Sequence, residues 1–270
     1  MAESNGKASG SQSIERAAAV LRTVATFGAG ARLADVVAKT NLTKPTVHRI
    51  LAGLMREGLI EQETTQKCYF LGPETFILGT IAAARYDVQD LALPALTRLA
   101  EISQDTAFLS VVRGLDVVYV QREEGAFPIR THVLKVGDRH PIGVSSSGQA
   151  ILAAMDDEAV ERVIAANAKR IAEFYPRYTP VRLRKMVQQA RSMGYALNAG
   201  LIWPGSWGIS VAIQDAGGRP VGALNIAAVE SRLQPDRQKK LAVALKREAK
   251  WLSEQLGKSS NLLQRRKQGG

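Results

Sequence analysis

Cysteine is nearly absent from this 270-residue chain: Cys68 stands alone, so no intrachain disulfide and no multi-cysteine metal site can form. Histidine is scarce too, with three in all and no H-x-x-x-H spacing, so no metal is expected. No run of about 18 apolar residues occurs, which argues against a membrane span. Met1 to Ser11 is small and polar and lacks the apolar centre of an export signal. It reads as a disordered lead, and a reducing cytoplasm is the expected home. There is no internal repeat. Gly143-Val144-Ser145-Ser146-Ser147-Gly148 lacks the G-x-S-x-G spacing of a nucleophile elbow. No catalytic residue and no cofactor is therefore assigned.

What is present is a large apolar fraction, 46%, enough for a real core. The formal charge is +11, divided as +3 over residues 1–85, +1 over 86–229 and +7 over 230–270. That balance suits a polyanionic partner, but a basic tail reads equally as a solvated end. Charge alone decides nothing here.

The order of elements says more. Ile14, Ala17, Leu21, Val24 and Phe27 recur at helical spacing after Ser13, and Gly28-Ala29-Gly30 ends that helix. A short helix fits Leu33 to Thr40, with Val36 and Val37 as its apolar contacts. Asn41-Leu42 makes a turn. Thr43 stands where an N-cap belongs, Pro45 is tolerated in the first turn, and Gly58 closes the third helix near Glu57. Leu59–Glu61 and Cys68–Leu71 then read as two short strands joined by Glu63–Lys67. Three helices and a ribbon make a winged helix-turn-helix.

In the third helix Val47, Ile50, Leu51 and Leu54 share one face, which must pack. The other face carries Lys44, Thr46, His48 and Arg49 in the first two turns, where a recognition helix meets bases and phosphates. Lys44 and Arg49 can neutralise phosphate, and a guanidinium can fork onto guanine. Thr46 can bond a phosphate or touch a thymine methyl. His48 can donate a hydrogen bond or simply face water. Thr43 and Pro45 shape the approach, and Arg32 and Lys67 are flanking phosphate candidates. An ordinary three-helix unit with a solvated polar face is the competing reading.

A break at Gly72-Pro73 precedes a linker helix, about Glu74 to Arg85. Helices are expected at Leu91–Ile102, Ser147–Ala154, Asp156–Lys169, Pro180–Met193 and Pro235–Leu256. Strands are expected at Thr106–Arg113, Asp116–Gln121, Ile129–Val136, Tyr195–Ala199, Gly208–Gln214 and Val221–Ala228. That mixture is α+β. The divisions are a lead at 1–10, a winged helix-turn-helix at 11–73, a linker helix at 74–89, a second domain at 90–257 and a basic tail at 258–270. Ser146 and Ser147 begin a helix, where hydroxyls and free N–H groups can hold an anion, or where one serine merely caps. Arg130 is a candidate carboxylate partner or a surface residue, and His132 and His140 fall in the same stretch.

The stretch LADVVAKTNLTKPTVHRILAGLMREGLI, with SIERAAAVLRTVATF before it, resembles the DNA-binding domain of the IclR family of bacterial regulators. GDRHPIGVSSSGQAILAAM and GGRPVGALNIAA are similar to two segments of that family's effector domain, so the resemblance spans roughly residues 11 to 257. It implies a GAF-like effector-binding domain, dimers that often pair into tetramers, a partly palindromic double-stranded operator and a small-molecule effector. Carried over by position, the implied pocket holds Ser146 and Ser147, Asn198 and Gly208, and Asn225 and Ala227. Members that sense small keto acids tend to place an acid near Asn198, cysteine at Gly208 and serine at Asn225 and Ala227, and this chain has none of these. Trp203 and Trp207 stand close by, filling the core, a dimer contact or the pocket wall. Fewer polar anchors and indole surface favour a flatter, more apolar effector, such as an aromatic acid or related catabolite. The rival readings are a GAF-like sensor or enzyme with an incidental helical N-terminal domain, and a sequence-indifferent DNA binder.

Overall fold

The computed structural model describes residues 5–83, 88–129 and 133–268. The chain divides into two compact units, Met1–Tyr86 and Asp87–Gly270.

The first unit opens with α1 (Asn5–Ala25), α2 (Leu33–Thr40) and α3 (Lys44–Arg56). It continues with β1 (Ile60–Gln62), β2 (Tyr69–Leu71) and α4 (Pro73–Ala83). Helix α1 starts eight residues before Ser13, taking in part of the expected lead, since no proline interrupts residues 5–12. Its buried stripe is Val20 and Val24, flanked by Leu21 and Phe27. Ile14 is 72% exposed, because the core reaches only the C-terminal half of the helix. Asn41 ends α2 in the left-handed region at φ 52°, which asparagine tolerates. Val47 and Leu51 are fully buried against Val20, Val36 and Ile60. At roughly 1.5–3 kcal/mol for each such side chain, they anchor α3 and fix which face stays outside.

The ribbon pairs Ile60 with Leu71 and Gln62 with Tyr69. Ala31 adds a bridge to Tyr69 through two backbone bonds of 2.9 and 2.8 Å. Gly72 sits against the Gly58 carbonyl so tightly that any Cβ would collide with backbone, so only glycine closes the ribbon onto α4.

The second unit contains α5 (Val88–Ser103), β3 (Thr106–Arg113), β4 (Asp116–Glu123), β5 (Arg139–Pro141), α6 (Ser145–Ala153) and α7 (Asp157–Phe174). After α8 (Pro180–Met193) come β6 (Ala196–Ala199), β7 (Ser206–Gln214), β8 (Pro220–Val229) and α9 (Pro235–Gln268). The strands form one antiparallel sheet in the order β5-β4-β3-β8-β7-β6. Alternation along β3 sends Ala107 and Leu109 to a layer formed by α5 and α9, and Phe108 to a layer formed by α6, α7 and α8. Glu248 on α9 is buried between Arg98 at 2.6 Å and Arg247 at 2.8 Å, so its charge is matched inside the α5–α9 layer.

Two elements differ from expectation. The alternating segment Ile129–Val136 forms no strand among its described residues. Asp138 accepts from the Lys135 N–H at 2.7 Å and Gly137 takes φ 95°, so a turn interrupts the run. The strand that pairs with β4 is β5 instead, with Arg139 opposite Val118. Helix α9 also runs on to Gln268 rather than ending at Leu256, because Leu, Gln, Arg and Lys carry it past Gly257.

Candidate functional site

Two features of different character stand out, one in each unit. The first is the outer face of α3. Lys44, His48 and Arg49 are exposed and Thr46 is half-buried, while Val47 between them is fully buried. Thr43 occupies the N-cap position, but its hydroxyl pairs with that of Thr46 at 2.9 Å instead of capping a backbone N–H. Pro45 is exposed in the first turn, as its missing N–H allows. Arg32 precedes α2, its backbone N–H held by Asp35 at 2.9 Å, and its side chain is exposed. Lys67 stands at the ribbon's tip with φ 53°, also exposed. None of Arg32, Lys44, Arg49 and Lys67 makes an ion pair among the described residues. Their charge, together with the positive end of the α3 dipole, is available to an anion.

The second feature is a cavity beside the sheet in the other unit, partly open to solvent. Sheet register assembles much of its wall. Asn198, Gly208 and Ala227 stand in one cross-strand row, and Ser210 and Asn225 stand in the neighbouring row on the same face. The start of α6 adds Ser145 and Ser146. Rings close the rest: Tyr119, His140, Trp203 and Trp207 all line it, with Val133, Leu134 and Ile202 as aliphatic neighbours. His140 meets Trp203 edge-on at 5.7 Å and Tyr119 at 6.0 Å.

Polar groups on this wall are mostly tied to one another. Asn225 Nδ2 donates to Ser146 Oγ at 2.7 Å and to Ser210 Oγ at 2.9 Å, and Ser210 donates to Ser146 at 2.9 Å. Tyr119 donates to Ser145 Oγ at 3.1 Å, and Asn198 Nδ2 donates to the Tyr178 hydroxyl. Burial raises the Tyr119 and Tyr178 hydroxyls well above the ordinary phenol range. It lowers His140 to about 4, so this ring is neutral at pH 7. No Asp, Glu, Lys or Arg lines the cavity among the described residues. The cavity can therefore hold a flat, mostly apolar molecule and orient it with a few hydrogen bonds.

Of the pocket residues expected from the sequence, Ser146, Asn198, Trp203, Trp207, Gly208, Asn225 and Ala227 are brought together on this wall. Ser147 is not among them. It is fully buried and turned to the sheet, 3.3 Å from Ser210 Oγ, because the next position on a helix points about a quarter-turn away from Ser146. Arg130 and His132 lie outside the described residues. Tyr119 and Ser145 also line the wall; neither is among the pocket residues expected from the sequence, although Ser145 opens the serine run that marks this helix start. Tyr119 sits mid-strand among valines, and nothing local distinguishes it from a core residue. Gly208 explains one departure: a Cβ there would lie 2.7 Å from Ser146 Oγ and 3.2 Å from Asn225 Nδ2. The longer asparagine at 225 takes the room that a cysteine at 208 would need.

Comparison with known proteins agrees with this division. Residues 13–64 match the IclR helix-turn-helix domain, and residues 80–254 match the bacterial transcriptional regulator IclR C-terminal domain. The glycerol operon regulatory protein of Streptomyces coelicolor is 30% identical over 248 residues, covering 91% of this chain and 96% of that protein. An IclR transcriptional regulator from Alicyclobacillus acidocaldarius superposes with a TM-score of 0.74 at 26% identity, covering 91% of this chain and 99% of that one. An IclR homolog from Microbacterium hydrocarbonoxydans, solved in complex with 4-hydroxybenzoate, shares the fold with a TM-score of 0.68 at 22% identity, covering 89% and 98%.

Proposed function

This chain belongs to the IclR family of bacterial transcriptional regulators, and we propose that it grips operator DNA with α3 under the control of a flat aromatic effector held in the Tyr119–Trp203 cavity. One observation carries the DNA half. Helix α3 is pinned by Val47 and Leu51 while Lys44, His48 and Arg49 stand exposed on its other side. A recognition helix works by presenting such a face to the major groove. Arg49 reads a base edge or phosphate and Lys44 neutralises phosphate, with Thr46 and His48 beside them. Thr43 and Pro45 set the helix entry, and Arg32 and Lys67 meet flanking phosphates.

The cavity supports the effector half. Aromatic rings and a wall without charged side chains among the described residues favour a ring over a small polar acid. An aromatic acid or related catabolite fits best, bound in a GAF-like effector domain at residues 90–257. The winged helix-turn-helix takes residues 11–73 and the linker helix 74–89. Control is a population shift: the effector binds one arrangement of the regulator better and so draws the molecule towards it. The working form is a homodimer, or a dimer of dimers, on a two-fold operator in the cytoplasm. The exposed Phe76, Ile77, Leu78 and Ile81 of the short helix α4 support self-association.

The test is a titration of the promoter DNA beside the protein's own gene against a scrambled duplex of equal length. It is run over a salt series, with and without benzoate-type compounds. A specific regulator prefers its promoter by about 10³-fold or more, and the effector changes that preference. Equal affinity for both duplexes sinks the reading.

A further inference from the structure

The cavity wall contains a buried acceptor that no described residue satisfies. Asn225 is 2% exposed, and its Oδ1 has no hydrogen-bond partner among the described residues. The Ile209 carbonyl orients the amide: it accepts from Nδ2 at 3.4 Å and has no proton to give Oδ1 if the group turned over, whereas the Ser146 and Ser210 hydroxyls could pair with either end. Leaving such a group unmatched is unfavourable, because it gives up its hydrogen bonds to water and gains none in return. Beside it stands a complementary donor. Both lone pairs of Ser146 Oγ are taken, one by Asn225 Nδ2 and one by Ser210 Oγ, which leaves its own O–H proton to give.

A donor and an acceptor held side by side on a cavity wall suit one kind of ligand group. A hydroxyl donates one hydrogen bond and accepts others, so it meets both. An ionised carboxylate has no proton to give and would place negative charge against Asn225 Oδ1. An apolar ring edge would leave both groups unmatched. His140 adds a second unsatisfied atom on the wall: its Nε2 is buried without a partner among the described residues, while its Nδ1 lies 3.1 Å from the Tyr175 hydroxyl. A hydroxyl or a carboxylate oxygen further along the ligand can meet it when Nε2 carries the proton.

We infer that the effector carries a ring hydroxyl, and that Asn225 is the residue that selects it, accepting a hydrogen bond from that hydroxyl through Oδ1 while Ser146 donates one in return. This rests on the aromatic-effector reading and narrows it from aromatic acids in general to phenolic ones.

The experiment uses the full-length protein and measures dissociation constants from the fluorescence of the cavity tryptophans, checked by calorimetry. The probes are benzoate, 3- and 4-hydroxybenzoate, and 3- and 4-methoxybenzoate. At least one hydroxybenzoate is expected to bind about 10-fold or more tightly than both benzoate and its own methyl ether. In Asn225→Leu that preference collapses to about 3-fold or less, read as the ratio of hydroxybenzoate to benzoate affinity within the same variant. If Asn225→Leu does not fold, the wild-type series still decides. Equal binding of hydroxyl, methoxy and unsubstituted probes overturns the phenol claim and leaves the aromatic reading standing. Failure of every probe to bind at millimolar concentration overturns both. Retention of the full hydroxyl preference in a folded Asn225→Leu removes Asn225 from the role.

Discussion

The outer face of α3 and the cavity beside the sheet are opposites. The first is exposed, cationic and drawn from one short stretch of a single helix, Lys44 to Arg49, with Val47 turned inward. The second is a recess only partly open to solvent, carries no charged side chain among its described wall residues, and gathers Tyr119, His140, Ser146, Trp203 and Asn225 from five separate stretches of chain. The contrast follows from the partners each would serve. Phosphates are met by mobile cations in water, where charge acts at a distance and salt competes. A small ring is met by shape and by hydrogen bonds in a dry space, where one unmatched atom matters more than a net charge. The two regions should therefore fail in different ways.

The largest expected effect separates them by acid. His140 titrates near 4 in the folded protein against an ordinary value of 6.5, so the folded state prefers the neutral ring. Above pH 6.5 the stability from that preference is complete. As pH falls from 6.5 to 4 the unfolded chain gains the proton first, and stability declines by up to about 3 kcal/mol. Chemical denaturation at stepped pH, comparing the wild type with His140→Gln, should show this slope in the wild type alone. An equal slope in the variant would mean that other groups carry it.

A smaller effect comes from Gly208→Cys. The new side chain must push Ser146 or Asn225 aside, since its Cβ would already lie 2.7 Å from Ser146 Oγ. Overpacking of this kind costs about 1–3 kcal/mol. Thermal denaturation should show the loss, and benzoate-type probes should bind at least about 10-fold more weakly if the displaced groups are the ones that meet the ring. Promoter affinity without effector should hold. A variant that binds the probes normally would show that the Ser146–Asn225 pair is not where the ring sits.

How much could be read from the chain follows the same divide. The N-terminal unit was legible because its signals are local: Val47, Ile50, Leu51 and Leu54 at helical spacing, Asn41 and Gly58 at helix ends, and a ribbon just after. Even there, Ile14 matches the period and is exposed, since periodicity cannot say where a core stops. In the second unit the strands Thr106–Arg113 and the helix Pro180–Met193 fall where the pattern puts them. The segment at Ile129–Val136 alternates like a strand but is broken by the turn at Lys135–Asp138, a tertiary choice that alternation does not reveal. The cavity residues Asn198, Gly208, Asn225 and Ala227 came from family resemblance. Only sheet register explains why they meet. Tyr119 and the unmatched Asn225 oxygen have no sequence signal, because each is defined by a neighbour far along the chain.

The most direct test of the account pairs one DNA measurement with one cavity measurement on the same variant, Arg49→Ala. Arg49 is exposed and lies outside the core cluster of its unit, so the variant should melt like the wild type. Its promoter affinity, measured at fixed salt, should fall by roughly 5- to 150-fold, the equivalent of about 1–3 kcal/mol. Its affinity for the benzoate-type probes should be unchanged. Unaltered promoter binding in the folded variant would contradict the claim that the α3 face reads DNA.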